Sequence, residues 1–200
     1  MQNKQVIAAL TGSIATGKSV VLDYFHKNLG FEIISADSVG HDVLRLEKTI
    51  KKIRQEFGDA VITGGQIDRK ALGKIVFSDE SELKKLNAVT HPLILKQIFE
   101  TIDKMPKSTP VIVEAAILIE AGWQRYFDTI MVTTCRPEIQ LSRLMTRDGI
   151  DENEAKKRIS CQFSFENRLP YATYIIDTSY GIEVTKITLE KIAYELLNKR

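Results

Sequence analysis

Gly12-Ser13-Ile14-Ala15-Thr16-Gly17-Lys18-Ser19 places four residues between two glycines and follows the second with a lysine and a hydroxyl residue. This is the P-loop pattern, and phosphate chemistry explains its spacing. A loop between two glycines can wrap a phosphate chain with backbone N–H donors. Lys18 can then reach the β- and γ-phosphates, and the Ser19 hydroxyl can ligate Mg2+. A helix that opens here adds its positive dipole end to the same anion. The flanks suit the motif. Val6-Ile7-Ala8-Ala9-Leu10 is an apolar run that predicts a buried strand, and Val21, Leu22, Phe25 and Leu29 recur at helical spacing up to Gly30.

Other chemistry-bearing residues fall at ends of expected elements. Phe31-Glu32-Ile33-Ile34 predicts a second strand, followed by Ser35-Ala36-Asp37-Ser38 and a helical stretch carrying His41. In an open α/β sheet ligands gather at the carboxyl ends of the strands, which would put Asp37 in the crevice of the P-loop. Asp37 is then either a general base for a substrate hydroxyl or a helix cap. Val111-Ile112-Val113 predicts a third strand ending at Glu114, where a Walker-B type carboxylate near Mg2+ would sit. After a fourth strand over 128–133, a helix from Glu138 carries Arg143 and Arg147 four residues apart, on one face. Asp148-Gly149 ends it, and Asp151 with Glu154 resembles a capping box for a further helix bearing Lys156, Lys157, Arg158 and Gln162. Two arginine-rich helices joined at a glycine suggest a lid over phosphates, with arginines stabilising charge on the transferring group.

The remaining elements must position these groups. Residues 49–105 read as mostly helical: Ile50, Ile53 and Phe57 share one face, and Asp68 caps a helix over 69–77. A helix opening at Asp79-Glu80-Ser81-Glu82 is expected to end at Thr90-His91-Pro92, with a new one starting at Pro92. So long a helical block between strands suggests an inserted lobe over a substrate, and His91 is a candidate contact or a structural residue. Tyr174-Ile175-Ile176 predicts a fifth strand, and a last helix from about Glu183 is expected to bury Val184, Ile187 and Ile192. The fold class expected is α/β: a P-loop NTPase-type, mainly parallel five-stranded sheet covered on both faces.

Composition bounds the partners. The chain has 200 residues, is 44% hydrophobic and carries a net charge of +2, too small to argue for nucleic acid. Cys135 and Cys161 make neither a disulfide framework nor a metal-ligand spacing. No apolar run is long enough for a membrane span, and Met1-Gln2-Asn3-Lys4-Gln5 leads directly into the first strand without room for a signal peptide. A cytoplasmic protein with no membrane partner is expected.

In order along the chain, these motifs resemble the dephospho-CoA kinase family over nearly the whole length. Leu10-Thr11-Gly12 opening the P-loop is similar to the family's start, and Ser35-Ala36-Asp37 with His41 to its Asp-Ala-Asp segment followed by His. Asp68-Arg69, Val76-Phe77, His91-Pro92, Leu118-Ile119-Glu120, the run from Arg143 to Asp148 and Gln162 follow in family order. The resemblance implies sheet order 2-3-1-4-5 in one kinase domain, with a CoA-binding helical insertion over about 49–105 and a lid over about 138–168. It implies ATP and Mg2+, and transfer of the γ-phosphate to the 3′-hydroxyl of dephospho-CoA, the last step of coenzyme A synthesis. Asp37, Lys18 and Arg143 are the implied catalytic residues. Gly12 to Ser19 and Arg147 would hold nucleotide, Thr11, Asp37, His41, His91 and Glu120 would contact substrate, and Ser19 and Glu114 the metal.

The chain departs from the family pattern in three places. Ser13 and Ala15 stand where glycines are usual, restricting the loop backbone. Ser35 replaces the first Asp of the usual pair. Glu114-Ala115-Ala116-Ile117-Leu118 differs from the common Pro-Leu-Leu version and is similar to the kinase half of the animal bifunctional CoA synthase, whose adenylyltransferase partner has no room here. Two other readings stay open at this point. One is another small-molecule P-loop kinase, and the other a nucleotide switch, although no Asn-Lys-x-Asp guanine-reading segment occurs.

Overall fold

The computed structural model describes residues 5–198; Met1–Lys4, four of the five residues on which the signal-peptide expectation rests, and Lys199–Arg200 lie outside it. Its elements are β1 (Ile7–Gly12), α1 (Lys18–Leu29), β2 (Glu32–Ser35), α2 (Ala36–Val43), α3 (Glu47–Phe57), β3 (Ile62–Thr63), β4 (Gln66–Ile67), α4 (Arg69–Val76) and α5 (Glu80–Asp103). There follow β5 (Val111–Glu114), β6 (Ile130–Thr134), α6 (Pro137–Asp148), α7 (Glu152–Ser160), α8 (Phe165–Arg168), β7 (Tyr174–Asp177) and α9 (Ile182–Asn198). The chain divides into two units, one made by the segment up to Ile34 with everything from Met105, the other by Ser35–Lys104.

The first unit holds the sheet, in the order β2-β5-β1-β6-β7. Counted along this sheet, that is the expected 2-3-1-4-5. β1 lies between β5 and β6 and pairs in parallel with both, placing Leu10 opposite Glu114 and Gly12 opposite Thr133. Apolar residues run almost without interruption along β1, β5 and β6, and these strands are buried accordingly. That is the pattern of a sheet covered on both faces. One face is closed by α1 and α9. Leu10, Phe25, Phe31, Met131, Ile176 and Leu189 meet there, with the Phe25 and Phe31 rings edge to face at 5.0 Å between centroids. Each such side chain, fully buried, contributes about 1.5–3 kcal/mol.

The final helix differs from expectation on its buried face. Val184 and Ile187 are 52% and 66% exposed, whereas Thr185, Leu189, Ile192, Ala193 and Leu196 are buried. Val184 and Ile187 fall on one helical stripe, but the stripe that meets α1 runs one position away from it. Periodicity identifies two apolar stripes here, and only packing chooses between them.

The second unit is helical apart from the antiparallel pair β3 and β4, two residues each, closed by Gly64-Gly65. The turn was anticipated and the short strands were not, because two residues carry no alternation to read. Ile53, Val61, Leu72 and Val76 form a separate core. Asp68 caps α4 as expected, accepting from the Lys70 and Ala71 amides at 2.9 and 3.0 Å. The break expected at Thr90–Pro92 is absent: α5 is one helix of 24 residues with Pro92 inside it. An internal proline removes the bond to the carbonyl four residues back, costing about 3 kcal/mol. Here both Pro92 and Ala88, whose carbonyl loses that bond, are exposed, so water can serve the carbonyl. Thr90, Ile94, Ile98 and Ile102, on the opposite side, stay buried and hold the helix together.

Candidate active site

β1 ends at Gly12 and α1 begins at Lys18, so the expected P-loop is the strand-to-helix connection. Its two pattern glycines are required by space. A Cβ on Gly12 would collide with the Thr133 hydroxyl and carbonyl, and one on Gly17, at φ +85°, would lie 2.9 Å from Thr178 Oγ1. Ala15, which stands in for a family glycine, takes φ +60°, the one non-glycine residue with positive φ among the described residues. A left-handed alanine is strained by roughly 1–2 kcal/mol.

The loop is clasped from several directions. Thr133, at the end of β6, exchanges a 2.8 Å hydrogen bond with Thr16 Oγ1. Thr178, just past β7, donates to the Thr16 carbonyl at 3.0 Å. Gln140 of α6 donates to the Ile14 carbonyl at 2.7 Å, and Gln162 accepts from the Ile14 amide at 2.7 Å. Lys18 Nζ donates to the Gly12 and Ser13 carbonyls at 2.7 and 3.1 Å. Gln162, expected on the second lid helix, lies two residues beyond α7. Threonines at two strand ends are a sequence signal by the strand-terminus rule; Gln140 has none, since it sits on an unremarkable helix.

Arg143 is turned to the same place. Its guanidinium donates to Thr178 Oγ1 and to the Thr178 carbonyl at 2.9 and 2.8 Å. Ala15, Gly17, Ser19, Arg143, Arg147 and Thr178 line one cavity of about 640 Å3, together with the start of α9. The structure therefore brings the loop, Arg143 and Arg147 to one cavity. Of the cations expected on the second candidate lid helix, Lys156 and Arg158 belong to a surface network. Lys156 pairs with Glu152, while Arg158 pairs with Glu154 and, with Arg147, with Asp148. The Arg147 guanidinium beside Asp148 holds that carboxyl below the usual carboxylate range. Asp151 caps α7 through the Glu154 amide at 2.8 Å, but Glu154 itself turns to Arg158, so no reciprocal capping bond is made.

Three further candidates have defined settings in this unit. Thr11 is buried and donates to the Ala116 carbonyl at 3.3 Å. Glu114 ends β5, half-buried. Glu120 accepts from Arg168 at 2.6 Å and from the Phe163 amide at 3.2 Å, and Arg168 is fully buried. Glu120 thus anchors the 163–168 segment. Arg168, which sequence reading missed, also donates to the Phe163 and Ala116 carbonyls. Burial lowers its pKa, and Glu120 opposes that shift.

Asp37, His41 and His91 belong to the other unit. Asp37 is not a cap: Ser35 caps α2, accepting from the Ser38 amide at 3.4 Å, and Asp37 is exposed in the first turn. His41 Nε2 accepts from Arg69 at 2.9 Å, joining two positions of the family's motif order. His91 lies within α5 and not at a helix end, half-buried, and burial lowers its pKa.

Comparison with known proteins agrees with the geometry. The profile of the dephospho-CoA kinase family matches residues 6–183. The chain belongs to the dephospho-CoA kinase family. The dephospho-CoA kinase of Carboxydothermus hydrogenoformans is 39% identical over 90% of this chain and 89% of its own. That of Dehalococcoides mccartyi is 34% identical over 96% and 98%. The solved dephospho-CoA kinase from Campylobacter jejuni superposes with a TM-score of 0.70 at 29% identity, covering 95% of this chain and 96% of that one. Each of these matches spans nearly the whole of both chains, so the likeness is not confined to the P-loop segment.

Proposed function

We propose that this chain transfers the γ-phosphate of ATP to the 3′-hydroxyl of the dephospho-CoA ribose, giving CoA and ADP in the cytoplasm. The observation that carries the nucleotide half is the cavity in which the P-loop, Arg143 and Arg147 meet. Family membership supports the acceptor. The loop amides and Lys18 hold the phosphate chain. Asp37 takes the proton of the acceptor hydroxyl as its oxygen forms a bond to γ-phosphorus, while the bond to the β-phosphate oxygen breaks and ADP leaves. Arg143 and Arg147 neutralise charge on the transferring group, which is most of what catalysis of phosphoryl transfer requires. The helical unit would hold the pantetheine-bearing substrate, with His41 and His91 as contacts, and Thr11 of β1 would be a further substrate contact. Residues 138–168 would act as a lid that excludes water, since an open site would hydrolyse ATP.

Ser19 and Glu114 are the residues that would hold Mg2+. Ser19 is exposed on the first turn of α1 and lines the cavity, and Glu114 ends the strand beside β1. Among the described residues no group of three His, Cys, Asp or Glu could hold a metal. One hydroxyl and one carboxylate still suit Mg2+, which keeps several waters and takes phosphate oxygens. When bound, the ion would neutralise charge on the β- and γ-phosphates. Among the described residues no helix is long and apolar enough to cross a membrane.

The test is ADP release with dephospho-CoA, AMP, gluconate or no acceptor. Release that requires dephospho-CoA and yields CoA is expected. Release with another acceptor alone would keep the phosphate site and overturn the substrate.

A further inference from the structure

Two groups that a P-loop offers to phosphate already hold protein oxygens. For Lys18 the acceptors are carbonyls of the loop itself. For the Ile14 amide the acceptor is Gln162 Oε1, 148 positions along the chain. Gln162 Oε1 also accepts from Ser13 Oγ at 3.2 Å, and Ser13 Oγ accepts from Gln140 Nε2 at 3.2 Å. An amide NH2 only donates, so the single hydroxyl proton of Ser13 must point to Gln162. The result is a one-way chain, Gln140 to Ser13 to Gln162. A glycine at position 13, usual in the family pattern, could not form it. Gln162 is held from its other side as well. The Phe163 amide donates to Glu120, and the Phe163 carbonyl accepts from buried Arg168.

We infer that Gln162 is an affinity-setting residue that competes with nucleotide: its carboxamide oxygen holds the Ile14 amide as a phosphate oxygen would, and ATP binding exchanges the two. The inference rests on the reading of Gly12 to Ser19 as the phosphate loop. Phosphate wins the exchange because hydrogen bonds to a charged acceptor are about twice as strong as neutral ones. The lost Gln162 bonds lower the apparent affinity, since only the exchanged fraction of molecules is competent. Exchange also frees the segment after α7, so Ser13 gives this chain a direct link between phosphate occupancy and the candidate lid.

The experiment is calorimetric measurement of ATP affinity for the whole protein carrying Gln162→Ala, Gln162→Glu or Lys18→Ala. Gln162→Ala should tighten ATP by about two- to tenfold, the worth of one net hydrogen bond. Gln162→Glu keeps the acceptor and adds a charge, and should weaken ATP more than about tenfold. Opposite signs are the signature. Weakening in both variants would make Gln162 a nucleotide ligand, and unchanged affinity in both would make it a packing residue; either overturns the inference. Hydrogen exchange separates these from misfolding. In Gln162→Ala the Ile14 amide should lose protection without ATP, while the Val21 amide, bonded to the Gly17 carbonyl, should keep it. Lys18→Ala tests the underlying reading independently. Lost affinity there supports the phosphate loop whatever Gln162 does, and retained affinity overturns the phosphate loop and this inference with it.

Discussion

Two strands of one sheet run into helices, β1 into α1 and β2 into α2, and the two junctions are built in opposite ways. Between β1 and α1 lies a glycine-bounded loop whose amides, carbonyls and hydroxyls are held by Thr133, Gln140, Gln162 and Thr178. Between β2 and α2 there is no loop: Ser35 ends the strand and caps the helix, and Asp37 stands exposed within the first turn. The first junction works with backbone donors, which point usefully only if the backbone is fixed. The second presents one carboxylate, for which a helix's first turn is frame enough. The phosphate loop is thus held by many distant partners, whereas Asp37, the proposed general base, rests on one helix turn.

The largest effect that would break this contrast lies at the second junction. Asp37→Asn should lower kcat by about 10²- to 10⁴-fold, the range for a lost general base, while calorimetric ATP affinity stays within about twofold. Unchanged turnover would remove Asp37 from the chemistry. Next comes Glu120, named by the family resemblance as a substrate contact but built into the scaffold of the first junction. Glu120→Ala leaves Arg168 charged and buried, and should cost about 3 kcal/mol in denaturant unfolding. A raised KM for dephospho-CoA at unchanged stability would restore the substrate role.

Ala15→Gly should relieve the left-handed strain in the first junction. Added chain entropy in the unfolded state offsets part of the gain, leaving less than about 1 kcal/mol. A lowered melting temperature would mean that the methyl group itself packs usefully. The smallest effect is at His91. Its folded pKa is depressed by burial, so as pH falls below about 6.5 the unfolded chain takes up a proton that the folded protein resists. Stability should therefore decline as pH falls from 7 towards 5, and His91→Gln should flatten that decline. An identical slope in both proteins would place the titration elsewhere.

The sequence alone determined the phosphate loop, the parallel sheet and the second strand's link to Asp37. These rest on local demands: two glycines at the spacing of a phosphate loop, apolar runs that must be covered, and a polar residue just past a strand. Tertiary structure decided the rest. Helix α5 continues through Pro92 because the orphaned carbonyl faces water while Ile94 and Ile98 are buried on the other side. Ile187 is left exposed and Leu189 buried because α1 meets only one of two apolar stripes on α9. Gln140 and Gln162 reach the loop across more than a hundred residues. No periodicity encodes such contacts, because hydrogen bonds between distant segments depend on where packing sets their backbones, and local spacing is silent about that.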